Sequence, residues 1–277
     1  MPRLLSDEAV QCYHRDGYYF PVRVMTAKQA AHYRGCLERY EHQLGGPIAS
    51  NYRHKVHLLF TWAAQLIRHP AILDAAEDIL GPNLLCWTTN FFIKEAHTGA
   101  FVSWHQDSTY WGLSSDEVMT AWVALSDAPV RSGAMKFWPG SHKLSQLAHR
   151  DTFHKDNLLS RGQELTVHVP EEEGVLVPLR AGEVSLHHVK LVHGSGPNTT
   201  ADRRIGLAIR YIPTHIQQLK TRDSATLVRG VDEYGYFDPE PAPAADLDTA
   251  ALAAHADAVN RQVAALYQGT DMKVFRA

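Results

Sequence analysis

His105 and Asp107 stand two residues apart, and an extended chain with that spacing carries both side chains on one face. Far downstream, Leu191-Val192-His193-Gly194-Ser195-Gly196 offers a second imidazole on a glycine-containing backbone that permits close approach. Two imidazoles and one carboxylate on one side of a metal make the facial triad of non-heme Fe(II) oxygenases. That arrangement leaves adjacent coordination positions for a bidentate cosubstrate and O2. The chain has 17 histidines, so an arbitrary His-x-Asp in it reads as a hydrogen-bonded pair at a strand end. Context reverses that reading here. His193 follows a second β-pattern, and Arg203-Arg204 opens an apolar strand about ten residues later, where a planar guanidinium can clamp a carboxylate. Lys94 ends an apolar run just before the His-x-Asp strand, so it either snorkels or binds an acid.

The elements that must hold these residues divide the chain in two textures. Residues 6–45 read as mostly helical with one break. Ser6 and Thr26 serve as caps, Asp16-Gly17 turns into a short strand at 18–22, and Gly45-Gly46 is a stop. Further helices are expected at 59–67 and from Pro70 to Leu80, and residues 51–57 are the part of this scaffold best placed to reach a site. From Asn83 onward the composition becomes β-prone and aromatic. Strands are expected at 84–94, at 101–105, at 119–125, around 135–138, at 165–169, at 174–179, at 184–188 and at 205–212, with an irregular polar stretch at 143–164. Many short strands after a helical region predict a mainly β fold with flanking helices, a jelly roll or cupin-like barrel. We expect one domain over 1–277: a helical scaffold at 1–82, a β-core at 83–213, and a lid-like segment with an Ala-rich helix at 214–277.

Bulk composition narrows the function classes. The chain has 277 residues, 45% hydrophobic, enough for a sizeable core. A net charge of −3 gives no footprint for nucleic acid or an anionic membrane surface. Three cysteines without a CxxC pattern fit no disulfide framework and suit a reducing cytoplasm. The N-terminal residues lack a long apolar run, so no signal peptide is expected, and no stretch approaches the roughly 18 apolar residues of a membrane span. The oligomeric state stays open.

His105-Gln106-Asp107, Pro139-Gly140-Ser141-His142, and His193-Gly194-Ser195-Gly196-Pro197-Asn198 followed by Arg204 resemble the phytanoyl-CoA dioxygenase family of Fe(II)/2-oxoglutarate oxygenases. The resemblance covers roughly residues 8 to 240. It implies a double-stranded β-helix, with His105, Asp107 and His193 as iron ligands and Arg204 binding the far carboxylate of 2-oxoglutarate. Lys94, Trp111 and Thr120 fall where some members touch that cosubstrate. Related halogenases replace the aspartate with Gly or Ala. Asp107 is retained, which implies hydroxylation or another oxidation with O2 rather than chlorination.

His188, Asn198 and Arg229 are the candidates for substrate contact or for support of the metal site, with Asn198 alternatively fixing the loop after His193. His187 and His188 point to opposite faces of a regular strand, so one of them suits the pocket. Arg229 or Lys220, on a polar segment placed to fold over the barrel mouth, can meet an anionic group. The expected substrate is a small polar metabolite: an amino acid, an aminophosphonate or a natural-product intermediate. No basic cluster or phosphate-cradling glycine loop marks a coenzyme A site, but acyl-CoA hydroxylation remains the alternative, beside a metal-binding cupin-like protein without catalysis.

Overall fold

The computed structural model describes residues 3–272 and Phe275. Met1, Pro2 and residues 273, 274, 276 and 277 of the expected domain lie outside the described residues. Helices α1 (Asp7–Asp16), α2 (Ala27–Leu44), α3 (Thr61–Leu66) and α4 (Pro70–Leu80) come first, and α5 (Thr249–Leu266) comes last. Strands β1 (Tyr18–Arg23), β2 (Leu84–Lys94), β3 (Val102–His105), β4 (Met119–Ala124), β5 (Met135–Phe137) and β6 (His149–Arg150) cover the first half. Strands β7 (Glu164–Leu165), β8 (Val175–Val177), β9 (Glu183–His188), β10 (His193–Ser195), β11 (Arg204–Pro213), β12 (Ser224–Arg229) and β13 (Asp238–Pro239) follow.

The helix ends are set by local chemistry. Ser6 Oγ accepts the Ala9 N–H to start α1, and Gly17 closes it in the left-handed region at φ 86°, which a side chain resists. Thr26 and Gln29 form a reciprocal capping box on α2. Pro70 begins α4, where its missing N–H costs nothing.

Two sheets make the barrel. The larger has the order β1-β9-β4-β11-β2-β12-β13, and the smaller β3-β10-β5-β8. All neighbours are antiparallel except β12 and β13. This is a jelly roll with helices on one outer face.

The decisive strand is β11, buried along its whole length. Its alternation assigns each face a task. Ile205, Leu207, Ile209 and Tyr211 pack into a core shared with Leu37, Phe60, Leu66 and Ile72 of the helical layer. Arg204, Gly206, Ala208 and Arg210 take the other face, where Ala208 packs with Trp122, Met135 and Phe137 between the sheets. Cross-strand register then builds one row of inward residues: His187 opposite Thr120, Thr120 opposite Arg210, and Arg210 opposite Thr88. Every one of those four residues is at most 5% exposed.

The fold departs from the sequence expectation in three places. The larger sheet takes β1 from the helical region and β12 from the segment after 213, so it reaches beyond 83–213. The segment expected to act as a lid instead contributes β12, hydrogen-bonded to β2. Its anchor is a buried ion pair: Lys55 Nζ donates to the Trp87 and Ser224 carbonyls at 2.9 and 2.8 Å and pairs with Glu240. The strand expected at 165–169 is confined to Glu164–Leu165, which pairs with β6 inside the stretch expected to be irregular. No helix among the described residues is long and apolar enough to cross a membrane.

Candidate metal centre and its two cavities

The Cα atoms of His105 and His193 are direct cross-strand partners on β3 and β10. Their ring centroids lie 4.1 Å apart. Each ring is locked by its own backbone: His105 Nδ1 bonds the Ser103 carbonyl at 2.9 Å, and His193 Nδ1 bonds the Leu191 carbonyl at 2.9 Å. An Nδ1–H donated to a carbonyl leaves Nε2 as a lone-pair donor, the tautomer a metal requires. Asp107 follows on the first turn after β3, with Oδ1 at 3.3 Å from His105 Nε2. The ligand atoms of His105, Asp107 and His193 all lie within 4.8 Å of one another.

Electrostatics suit a cation at this point. Burial alone would raise the Asp107 pKa, but the positive charge of Arg210 outweighs it. The carboxylate is therefore held well below the usual range. Burial, assisted by His105, pushes His193 down to about 4, so its imidazole is neutral and available to a metal at neutral pH. Asp107 Oδ2 is buried without a hydrogen-bond partner among the described residues. An orphaned carboxylate oxygen beside two oriented imidazoles fits a divalent cation and fits little else.

Two cavities meet at this centre. The inner one is lined by the triad with Thr120, Trp122, His187, Arg204 and Arg210. Arg204 is 1% exposed; its NH1 donates to the Gly133 carbonyl at 2.6 Å while Nε has no hydrogen-bond partner among the described residues. Its guanidinium lies 5.1 Å from the centre of the Trp122 ring. Burial lowers its pKa to about 9. Thr120 Oγ1 and His187 Nδ1 are also buried without hydrogen-bond partners among the described residues. A planar cation with an orphaned hydroxyl in the same cavity is the donor set that a carboxylate takes. The outer cavity shares Asp107 and Arg210 and adds His54, Trp87, Trp111 and Gln262.

A family model for phytanoyl-CoA dioxygenase (PhyH) matches residues 13–206. The chain belongs to the phytanoyl-CoA dioxygenase family. Its structure is similar to that of the non-heme monooxygenase ThoJ in the apo form, with 38% identity, a TM-score of 0.83, and coverage of 92% of this chain and 95% of that one. A probable alpha-ketoglutarate-dependent hypophosphite dioxygenase from Stutzerimonas stutzeri is 35% identical over 157 residues. That match covers 56% of this chain and 54% of the relative, so the chain aligns with about half of that protein. An L-proline trans-4-hydroxylase from Streptomyces griseoviridis is 27% identical over 212 residues, covering 66% of this chain and 78% of the other.

Of the residues singled out from the sequence, His105, Asp107, His193, Arg204 and Thr120 line one cavity. Lys94 lies behind its wall: it is opposite Arg204 in the β2–β11 ladder and donates to Ser195 Oγ at 2.6 Å and to the Gly196 carbonyl. Burial, then the Arg204 charge, lowers its pKa to about 6.

Three expectations are corrected, and Asn198 takes its loop-fixing alternative. Trp111 does not join Arg204 and Thr120; the 3-10 turn after Asp107 carries it to the outer cavity, where it packs 4.9 Å from Trp87. His188 faces away from the site, accepting the Lys190 N–H at Nδ1 and packing 5.3 Å from His142, because register with Thr120 turns His187 inward instead. Asn198 touches neither cavity: its side-chain amide donates to the carbonyls of Lys94, Glu95 and Asp202 and fixes the loop after His193. Arg229 pairs at 2.8 Å with Asp74 and Glu77 of α4, outside both cavities, and Lys220 donates to the Tyr110 carbonyl at 2.8 Å.

Sequence reasoning missed Arg210 and Gln262. Arg210 carried a signal, since six residues along a strand from Arg204 is the same face. Gln262 carried none; its place depends on how α5 folds back over the sheet.

Proposed function

We propose that this protein is an Fe(II)- and 2-oxoglutarate-dependent dioxygenase that hydroxylates an unactivated C–H of a small polar metabolite. The observation that carries the reading is the sharing of one buried cavity by the oriented triad and by Arg204 with its open guanidinium edge. A metal-binding protein without catalysis has no use for that arginine.

In this reading His105 Nε2, Asp107 and His193 Nε2 hold Fe(II). When bound with 2-oxoglutarate, the metal supplies the O2 activation that turns the cosubstrate into succinate and CO2. The chain's own residues bind, orient and exclude water. Arg204 binds the far carboxylate of 2-oxoglutarate, and Thr120 donates its hydroxyl to the same group. Lys94 adds positive charge behind Arg204 once an anion arrives, because a bound carboxylate reverses the burial penalty on its ammonium. Trp122 backs Arg204 and fixes its plane. The outer cavity, opening on Asp107, is the place for substrate. The presence of Asp107 supports hydroxylation over chlorination.

By their names, the relatives act on hypophosphite and on L-proline, both small and polar. Their chemistry supports a small polar metabolite as the substrate class.

The test is 2-oxoglutarate turnover without added substrate, measured as succinate release by the iron-loaded protein. Wild type should release succinate slowly, and Arg204→Gln should raise the KM for 2-oxoglutarate by about tenfold or more, the worth of a charged hydrogen-bonded pair. No succinate from an iron-loaded wild type, at any 2-oxoglutarate concentration, would contradict the reading.

A further inference from the structure

We propose that the outer cavity binds an anionic group of the substrate, a carboxylate or similar oxyanion, between Arg210 and Gln262. The inference depends on the oxygenase reading for what fills the triad, and on the cavity's own donors for what fills the rest.

Arg210 is 5% exposed and lies on the inner face of β11. Its guanidinium sits between aromatic rings, 5.2 Å from the centre of Trp111 and 5.8 Å from that of Phe92. NH1 donates to Asn90 Oδ1, and NH2 is 3.7 Å from Asp107 Oδ2. Nε is buried with no partner among the described residues. Gln262 reaches the same cavity from α5 and is 3% exposed. Its Oε1 accepts from Thr88 Oγ1 at 3.2 Å, and its Nε2 is likewise buried without a partner. Thr88 is the cross-strand neighbour of Arg210, so the two open donors flank one small side chain. Buried donors left open in a cavity call for a ligand rich in acceptors.

Charge selects an anion over a neutral acceptor. Asp107 is the sole carboxylate among the residues lining the outer cavity. Of the other arginines there, Arg161 is committed to Asp151 and to the Leu266 and Gln268 carbonyls, while Arg53 donates Nε to the Ile48 carbonyl and adds its positive charge to the lining. In the protein without metal, Arg210 is balanced by Asp107. With the triad filled, a divalent cation and dianionic 2-oxoglutarate cancel, and Asp107 offsets Arg204, before the charge that Lys94 adds is counted. Arg210 is then a buried cation without a counter-charge, a costly state that a substrate anion relieves. Both Arg210 and Gln262 lie beyond residues 13–206 matched by the family model, as suits a pair that reads the substrate rather than the shared cosubstrate.

The test uses the full chain loaded with Zn(II) and 2-oxoglutarate, which prevents turnover. Ligand-observed NMR compares two probe pairs that differ in the anion: L-proline with L-prolinamide, and methylphosphonate with its dimethyl ester. In wild type the anionic member of at least one pair should bind about tenfold more tightly than its partner. The preference should fall below about threefold in R210Q, survive in part in R210K, and weaken in Q262L, a change on a different element. Calorimetric titration of wild type with 2-oxoglutarate runs in parallel. Failure of 2-oxoglutarate to bind overturns the oxygenase reading. Normal 2-oxoglutarate binding with no anion preference in either pair, or a preference unchanged in both R210Q and Q262L, overturns this inference alone.

Discussion

At the scale of single residues, the site is a set of unfinished hydrogen bonds. Asp107 Oδ2, Thr120 Oγ1, Arg204 Nε and Arg210 Nε are all buried without hydrogen-bond partners among the described residues. A protein that leaves polar atoms unpaired in its interior destabilises itself unless a ligand completes them. Thr120 separates these two states cleanly. Thr120→Val removes an unsatisfied hydroxyl, so the protein without ligand should melt at the same temperature or slightly higher. Its affinity for 2-oxoglutarate should nevertheless drop about tenfold, the loss of one hydrogen bond to a charged group. Thermal melts and calorimetric titration of one preparation check both halves. Much of this was legible beforehand. His105-Gln106-Asp107 and His193 declare themselves by type and spacing, and Arg204 by its place at the head of an apolar strand. The choice between His187 and His188 was not legible, because the phase of β9 is set by its register with β4.

At the scale of elements, β11 is the part on which the site depends. Its odd-numbered residues from Ile205 to Tyr211 hold the helices, and its even-numbered residues face the cavities. In the sequence only Arg204 and Arg210 mark one face, and the apolar residues between them, buried on both sides, hide the alternation. Gly206 exposes the tightness of the inner face. A Cβ there would collide with the Trp122 indole, the ring on which Arg204 rests. Gly206→Ala should therefore displace Trp122, destabilise the protein by about 1–3 kcal/mol as overpacked cores do, and weaken 2-oxoglutarate binding. Denaturant unfolding reads the first effect and titration the second; unchanged values in both would mean that Trp122 is not held as described.

At the scale of the whole molecule, distant parts of the chain close over the centre. Arg161 ties the 150s to the end of α5 through the Leu266 and Gln268 carbonyls. His255, 2% exposed on α5, bonds the His54 carbonyl at 2.9 Å. Such long-range closure has no local signature, which explains why β12 and the placement of α5 escaped the sequence. It also makes the closure acid-sensitive. Burial pushes the His255 pKa down to about 4, so the folded state keeps the ring neutral while the unfolded chain protonates near 6.5. Stability from this group is present above pH 6.5 and is lost as pH falls from there toward 4, on the order of 3 kcal/mol in all. His255→Gln should flatten that acid limb in unfolding experiments between pH 7 and about 4; an identical limb in the variant would assign the acid loss elsewhere.

The central claim is that His105, Asp107 and His193 hold iron while Arg204 seats 2-oxoglutarate beside it. The most direct measurement is the weak visible charge-transfer band of the iron–2-oxoglutarate chelate, recorded without oxygen on wild type and on His193→Ala. The account predicts a band in wild type and none in the variant. An iron-loaded wild type that shows no band with saturating 2-oxoglutarate would contradict it.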